Sequence, residues 1–217
     1  MSQPIDLSAL RREYSSQGLH EKDLDPDPTL QLQRWLDEAV RLQLIDATGM
    51  CLSSVSASGV PSSRVVLLKN LGAAGLTFFT RYNSRKGGEI SANDNVSLLF
   101  HWRELERQVR INGTAKRTSR EESGKYFQTR PRKSRVAARV ACAHQSVTDR
   151  ATLERLFAEE DRQHPGDDIP MPDEWGGYRV TPVEFEFWQG RENRLHDRLL
   201  YRPGDAAGTW RMSRLLP

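Results

Sequence analysis

The chain has 217 residues, of which 37% are hydrophobic and 28% charged, with a formal net charge of +3. That length can enclose a core without disulfide or metal staples, as one large domain or two small ones. The charge is too small to require nucleic acid, although a basic balance accommodates an anionic ligand. Cys51 and Cys142 lie far apart and form no CxxC pair, the pattern of free thiols in a reducing compartment. Met1-Ser2-Gln3-Pro4-Ile5-Asp6 lacks a basic start and an apolar core, so no signal peptide is expected. Apolar runs such as 65–68 and 96–100 are too short to span a membrane. A cytoplasmic protein without membrane or nucleic-acid partner is expected.

Residues 1–28 are polar and end in the loop signal Asp25-Pro26-Asp27-Pro28. Asp27 then caps a helix with Pro28 in its first turn. Leu32, Trp35, Leu36, Ala39 and Val40 form that helix's buried stripe. Strands are expected at 51–56, 62–70, 76–81, 96–102 and 106–117, with a helix at 84–93 between the third and fourth. Ser119 and Glu122 make a capping box that opens a helix ending near Gln128. Pro131 stops it, Ser134 caps a helix over 134–141, and another covers 149–160. A Pro-, Gly- and Asp-rich loop follows at 163–176, then strands at 178–188, 194–201 and 209–215. Short links between successive strands point to an antiparallel sheet curling into a barrel. The fold class is therefore mainly β with flanking helices. No linker separates two domains, so a single domain over 1–217 is expected, with 1–28 a mobile N-terminal segment.

Four clusters carry chemistry. Ser84 caps a helix whose first turn holds Arg85 and Lys86, the wrong sign for its dipole. Such cations suit either an anion on the helix end or plain solvation. Arg64 and Lys69 bound an apolar strand, and five residues apart they fall on opposite faces of a regular pleat. They fit two different anions, or the strand's emergence into water. Arg194, His196 and Arg198 share one face of an expected strand, where like charges repel unless an anion or an aromatic ring meets them. Just before them, Phe185 and Phe187 face the core and Trp188 lies with Glu184 and Glu186 on the polar side, as at a ligand site or interface. Tyr126 and Arg130 stand one helical turn apart, with Ser134 beyond Pro131, a combination able to cradle phosphate. Between 103 and 139 there are twelve Lys or Arg against four Glu, a solvated face, an anion pocket or a nucleic-acid face. No GxGxxG, P-loop, HExxH or GxSxG occurs, and the five histidines have no metal-ligand spacing.

Read together, Arg64-Val65-Val66-Leu67-Leu68-Lys69, Ser84-Arg85-Lys86, Glu106-Arg107-Gln108-Val109, Lys125-Tyr126-Phe127 with Arg130-Pro131-Arg132, Gln145-Ser146, Trp175-Gly176-Gly177 and Glu186-Phe187-Trp188-Gln189-Gly190 leading to Arg194-Leu195-His196-Asp197-Arg198 resemble the pyridoxine/pyridoxamine 5′-phosphate oxidase family. Leu10-Arg11-Arg12-Glu13-Tyr14 and Arg214-Leu215-Leu216-Pro217 look like that family's ends, so the resemblance runs nearly the full chain. It implies an antiparallel FMN-binding split β-barrel working as a homodimer, with FMN at the subunit interface. It also implies oxidation of pyridoxamine or pyridoxine 5′-phosphate to pyridoxal 5′-phosphate, with O2 as electron acceptor and H2O2 released.

Carried onto this chain, the resemblance gives FMN the run Arg64 to Lys69, with Phe79, Thr80, Arg85, Lys86, Gln145 and Ser146. Arg64, Arg85, Lys86, Gln145 and Ser146 would hold its phosphate and ribityl end, and Gln108, Trp188 and Arg198 would border its ring. Lys69, Tyr126, Arg130 and Ser134 would grip the substrate phosphate. Arg194 and His196 would be the catalytic pair beside the reacting carbon, Arg194 orienting and His196 handling a proton or hydrogen bond. Arg11 and Tyr14 would cover the substrate. The chain departs from the family pattern in a longer stretch from Ser134 to Gln145, in Phe79 where a Tyr is common, and in His101 where a Pro is common. Three rival readings are a same-fold flavin oxidase of the phenazine type, a non-catalytic FMN or pyridoxal-phosphate binding protein, and a basic nucleic-acid binder.

Overall fold

Helix α1 (Pro28–Arg41) opens where Asp27 accepts a hydrogen bond from the Thr29 amide at 2.8 Å, in a computed structural model that describes residues 13, 14 and 18–217. Leu32, Trp35, Leu36 and Ala39 are buried as the periodicity requires. Val40 is 56% exposed instead. It lies roughly a quarter turn from the centre of the stripe, at the helix's solvent margin.

The strands are β1 (Gly49–Val55), β2 (Pro61–Leu67), β3 (Asn70–Gly72), β4 (Gly75–Arg81), β5 (Asn95–Trp102), β6 (Arg107–Arg117), β7 (Trp175–Gln189), β8 (Asp197–Pro203) and β9 (Trp210–Leu215). Helix α2 (Arg85–Ala92) falls between β4 and β5, and α3 (Arg120–Thr129), α4 (Arg132–Ala143) and α5 (Arg150–Gln163) between β6 and β7. The sheet runs β2-β1-β5-β6-β7-β4-β3, with β8 paired to β7 and β9 to β8. The pairs β1–β2, β3–β4, β4–β7, β7–β8 and β8–β9 are all antiparallel. The fold class is thus the expected one, mainly β with flanking helices. Gly75, at φ +115°, makes the β3–β4 turn, and a Cβ there would lie 2.1 Å from the Val180 carbonyl oxygen. Only glycine meets both conditions.

The chain forms two compact units. One comprises the described residues up to Ala47 with Leu99–Arg110 and Glu184–Pro217, and its core includes Leu32, Trp35, Phe100, Val109, Phe185, Phe187 and Tyr201. Trp35 meets Phe187 edge-on at 5.1 Å, and Tyr201 Oη donates to the Asp25 carbonyl at 2.8 Å. The other comprises Thr48–Leu98 and Ile111–Val183. Its core includes Leu52, Leu76, Phe78, Leu98, Ile111, Tyr178 and Val180, with a cluster of Phe127, Val136, Ile169 and Trp175 among the helices.

Three local expectations need correction. The strand expected over 62–70 breaks after Leu67, because the Leu68 amide bonds to Thr48 O at 2.9 Å and the Lys69 amide to Thr77 O at 2.8 Å. The chain changes partner there, so the pleat that would set Arg64 and Lys69 on opposite faces does not continue. Helix α4 starts two residues before Ser134, at Arg132, with Pro131 in the capping position. Proline's fixed φ suits a helix entry, and Ser134 sits inside the first turn, its amide bonded to Pro131 O at 2.8 Å. Arg194 and His196 both precede the strand expected to contain them, so the shared strand face does not form. Glu192–Arg194 is a 3-10 turn with Asn193 at φ 55° and Arg194 at φ 60°, and β8 starts only at Asp197.

Candidate functional site

A cavity of about 690 Å³ opens in the second unit, within Thr48–Leu98 and Ile111–Val183. Of the residues singled out from sequence, Arg64, Val65, Val66, Leu67, Lys69, Phe79, Thr80, Lys86, Tyr126 and Arg130 line it. Arg64 and Lys69 share this cavity because of the break after Leu67. Leu68 does not line it, being 6% exposed in the core. Arg85 also stays outside the lining, exposed and paired to Glu89 at 2.8 Å. Ser134 is half-buried in α4 and outside the lining, and Gln145 and Ser146 are exposed between α4 and α5.

One cationic group sits at the head of α2. Ser84 caps the helix, its Oγ accepting from the Gly87 amide at 3.3 Å. Lys86 Nζ donates to Thr80 Oγ1 at 3.0 Å and to Ser84 Oγ at 3.3 Å. Burial, then the neighbouring Arg64 and Arg81, pushes the Lys86 ammonium below its ordinary pKa. A bound anion would reverse that charge crowding. Arg64 donates through Nη1 to Leu52 O and Ser54 Oγ, and through Nη2 to Ser62 Oγ and Glu89 Oε2. Glu89 is 5% exposed, and hydrogen bonds, foremost from Ser54 and Ser62, hold its carboxyl down to about 2. Sequence reasoning missed Glu89. Its one signal was a position four residues after Arg85 on the same helix.

A second cationic group stands against an aromatic wall. Phe79 stacks on Tyr126 at 4.0 Å and on Trp175 at 5.6 Å. The glycines after Trp175 admit the neighbouring rings: a Cβ on Gly177 would meet Phe79 Cε1 at 2.9 Å, and one on Gly176 the Tyr82 oxygen at 2.0 Å. The Arg130 guanidinium lies 4.8 Å from the Trp175 ring centroid, a cation–π contact. Its Nη1 is buried without a hydrogen-bond partner among the described residues, and burial depresses its pKa. A buried guanidinium N–H left unpaired is costly, and an anionic ligand in the cavity would satisfy it. Trp175 was read from sequence only as part of a motif, and its role as the ring beside Arg130 emerges in three dimensions.

The first unit assembles the other candidates. Trp188, His196 and Tyr14 cluster, with ring centroids 4.7 Å apart for Trp188–His196, 5.1 Å for Tyr14–His196 and 5.6 Å for Tyr14–Trp188. His196 Nδ1 accepts from the Arg191 amide at 3.1 Å, so the neutral ring keeps its proton on Nε2. Burial and then Arg194 push the His196 pKa down, which favours that neutral form. Arg198 donates from Nε to Glu186 at 2.8 Å and from Nη1 to Leu216 O at 2.8 Å, and Arg110 pairs with the same Glu186. Gln108 is half-buried on β6 and Arg194 is exposed. Arg11 lies outside the described residues. Among those residues, no group of three or more His, Cys, Asp or Glu could hold a metal, and no helix is long and apolar enough to cross a membrane.

The antiparallel sheet with flanking helices is that of the split barrels, and its cavity presents Arg64, Lys86 and Arg130 to an anion. A solved structure from Nostoc punctiforme described as a pyridoxamine 5′-phosphate oxidase-related, FMN binding protein shares the fold, with TM-score 0.72 at 16% identity over 89% of this chain and 100% of that one. PhzG from Burkholderia lata, solved with tetrahydrophenazine-1-carboxylic acid, reaches TM-score 0.84 at 28% identity over 93% of this chain and 98% of that one. Residues 36–163 match the family described as pyridoxamine 5′-phosphate oxidase, and 175–217 the pyridoxine 5′-phosphate oxidase C-terminal dimerisation region. A pyridoxine/pyridoxamine 5′-phosphate oxidase of Rubrobacter xylanophilus is 52% identical over 98% of this chain and 97% of its own length, and one of Prochlorococcus marinus 48% identical over 98% and 96%. The chain belongs to the pyridoxine/pyridoxamine 5′-phosphate oxidase family, an enzyme family whose cofactor is FMN, as its motifs imply.

Proposed function

We propose that this protein oxidises pyridoxamine 5′-phosphate or pyridoxine 5′-phosphate to pyridoxal 5′-phosphate. O2 is the electron acceptor and hydrogen peroxide a product. The protein works as a homodimer with FMN at the subunit interface, in the cytoplasm, where the free thiols of Cys51 and Cys142 persist. The observation that carries this reading is the buried Nη1 of Arg130, without a partner among the described residues, in a cavity that also presents Lys86 and Arg64. Those cations come from separate elements, the end of α3 on one side and β2 with the head of α2 on the other. A cofactor and a substrate that each carry a phosphate answer both.

FMN supplies the two-electron redox chemistry when bound. Lys86, Arg64 and Arg85, with Gln145 and Ser146, hold its phosphate and ribityl end. Val65, Val66 and Leu67 offer an apolar edge along β2, with Lys69, Phe79 and Thr80 completing that side and Leu68 behind it in the core, and Gln108, Trp188 and Arg198 would border the ring. Arg130, Tyr126, Lys69 and Ser134 grip the substrate phosphate. Arg194 orients the substrate and remains protonated throughout. His196, neutral with its proton on Nε2, donates a hydrogen bond at the reacting end of the substrate. Arg11 and Tyr14 are the residues that the family resemblance assigns to cover the substrate.

The test is the visible spectrum of the purified protein during anaerobic addition of pyridoxamine 5′-phosphate. A yellow protein that bleaches, then recovers its colour in air, is expected. A yellow protein that stays oxidised would instead support a phenazine-type substrate, the reading that the likeness to PhzG favours. A colourless protein that FMN cannot reconstitute would overturn the flavin assignment.

A further inference from the structure

Among the described residues, Glu89 is the acid that pairs with the cations at the head of α2, and it is almost fully enclosed. It lies on α2, 5% exposed, and accepts hydrogen bonds from Ser54 Oγ at 2.6 Å, Ser62 Oγ at 2.6 Å, Arg64 Nη2 at 3.1 Å and Arg85 Nε at 2.8 Å. The two serines are bifunctional. Each donates to Glu89 and accepts from Arg64, through Nη1 for Ser54 and Nη2 for Ser62. Ser54 and Ser62 face each other in the β1–β2 register, so the strand pair itself sets their spacing. The result is a closed ring of hydrogen bonds joining β1, β2 and α2 around one guanidinium.

Both terminal nitrogens of Arg64 are consumed by this ring and by the Leu52 carbonyl, at 3.1 Å. Among the described residues, the donor of this cavity-lining side chain that meets no partner is Nε–H. A flexible arginine presents five N–H groups in any orientation, whereas this one is held to a single orientation before any ligand arrives. Glu89 also offsets the mutual repulsion of Arg64 and Arg85, which would otherwise drive the two cations apart.

We infer that Glu89 is a positioning residue for the cofactor phosphate: with Ser54 and Ser62 it fixes Arg64, and directly it fixes Arg85, at the head of α2. The inference rests on the proposed placement of the FMN phosphate beside Lys86 and Arg64. Electrostatics alone would predict the opposite effect, since an acid near a phosphate weakens its binding. The sign of the response to substitution therefore discriminates.

The experiment titrates the full-length flavin-free protein with FMN and with riboflavin, which lacks the phosphate, following quenching of flavin fluorescence. Glu89→Gln removes the charge and replaces one of the two acceptor oxygens by an NH2 that opposes the guanidinium it meets. It is expected to weaken FMN about tenfold or more while riboflavin changes less than about twofold. A role confined to stability would lower the melting temperature and leave the FMN-to-riboflavin ratio unchanged, which would overturn the inference, as would tighter FMN binding. Lys86→Ala is the control. If it lowers the ratio and Glu89→Gln does not, the positioning role alone fails. If neither changes it, the phosphate placement fails, and the inference with it. Should Glu89→Gln not fold, Ser62→Ala carries the same test, because it removes one bond to Glu89 and one to Arg64.

Discussion

Arg130 closes α3 in the C-capping position with an extended backbone, so its side chain leaves the helix axis and reaches the Trp175 ring. Packing on that ring shields the guanidinium from water, which is why burial leads the causes that depress its pKa. Among the described residues Nη1 has no partner, which would cost about 1–3 kcal/mol, and the proposed substrate phosphate would relieve it. Arg130→Ala is therefore expected to raise the KM for pyridoxamine 5′-phosphate about 10- to 100-fold with flavin content unchanged. Steady-state peroxide assays, with the ratio of flavin to protein absorbance as control, measure both. An unchanged KM would remove Arg130 from the phosphate site. The pair Tyr126 and Arg130 was legible from helical spacing. The unsatisfied nitrogen was not, because satisfaction depends on residues distant in sequence.

At the scale of elements, the dense positive charge between 103 and 139 acquires an unexpected use. Arg120, Arg132, Arg135 and Arg139, from α3 and α4, donate to backbone carbonyls of the segment joining α5 to β7: Met171, Gly166 with His164, Asp167 and Pro170 respectively. Such a segment has no strand partner, and arginine forks answer its carbonyls. Two of the four also meet acids of α5, Arg132 at Asp161 and Arg139 at Glu160. The clamped segment delivers Trp175 to its place beside Arg130. Arg135 is 7% exposed and bonds both Gln128 Oε1 at 2.8 Å and Asp167 O at 2.7 Å. Arg135→Ala is expected to cost about 1–3 kcal/mol and lower the melting temperature by several degrees. Differential scanning calorimetry with FMN saturating checks it, and a melting temperature within about a degree of the parent would show that the clamp is dispensable. Composition revealed the excess charge. Only the packing of α3, α4 and α5 showed that four of these arginines meet carbonyls and carboxylates within the protein.

At the scale of the whole molecule, FMN shared between two copies, as proposed above, would couple flavin binding to assembly. Residues 175–217 match a dimerisation region, and that stretch carries Trp188 and Arg198. Anything that binds the assembled form alone stabilises it by mass action, about 2.7 kcal/mol at a hundredfold excess over Kd. Adding FMN to the flavin-free protein is expected to raise the melting temperature with the logarithm of FMN concentration and to shift sedimentation towards dimer at low protein concentration. A melting temperature and a sedimentation profile both indifferent to FMN would separate cofactor binding from assembly.

What the sequence determined by itself was local or shared with a family. Caps at Asp27, Ser84 and Ser119, the strand segments with their short turns, and the motifs from Arg64 to Arg198 each depend on residues a few positions apart or on a recognisable run. The tertiary structure decided where those pieces meet. It broke the second strand after Leu67 by giving Leu68 and Lys69 different hydrogen-bond partners, so that Arg64 and Lys69 line one cavity. It moved Arg194 off the strand into a turn at positive φ, and it closed Glu89, Ser54, Ser62 and Arg64 into a ring. Hydrogen bonds between elements and the burial of charge have no periodicity along the chain, and so they could be read only once the elements were packed together.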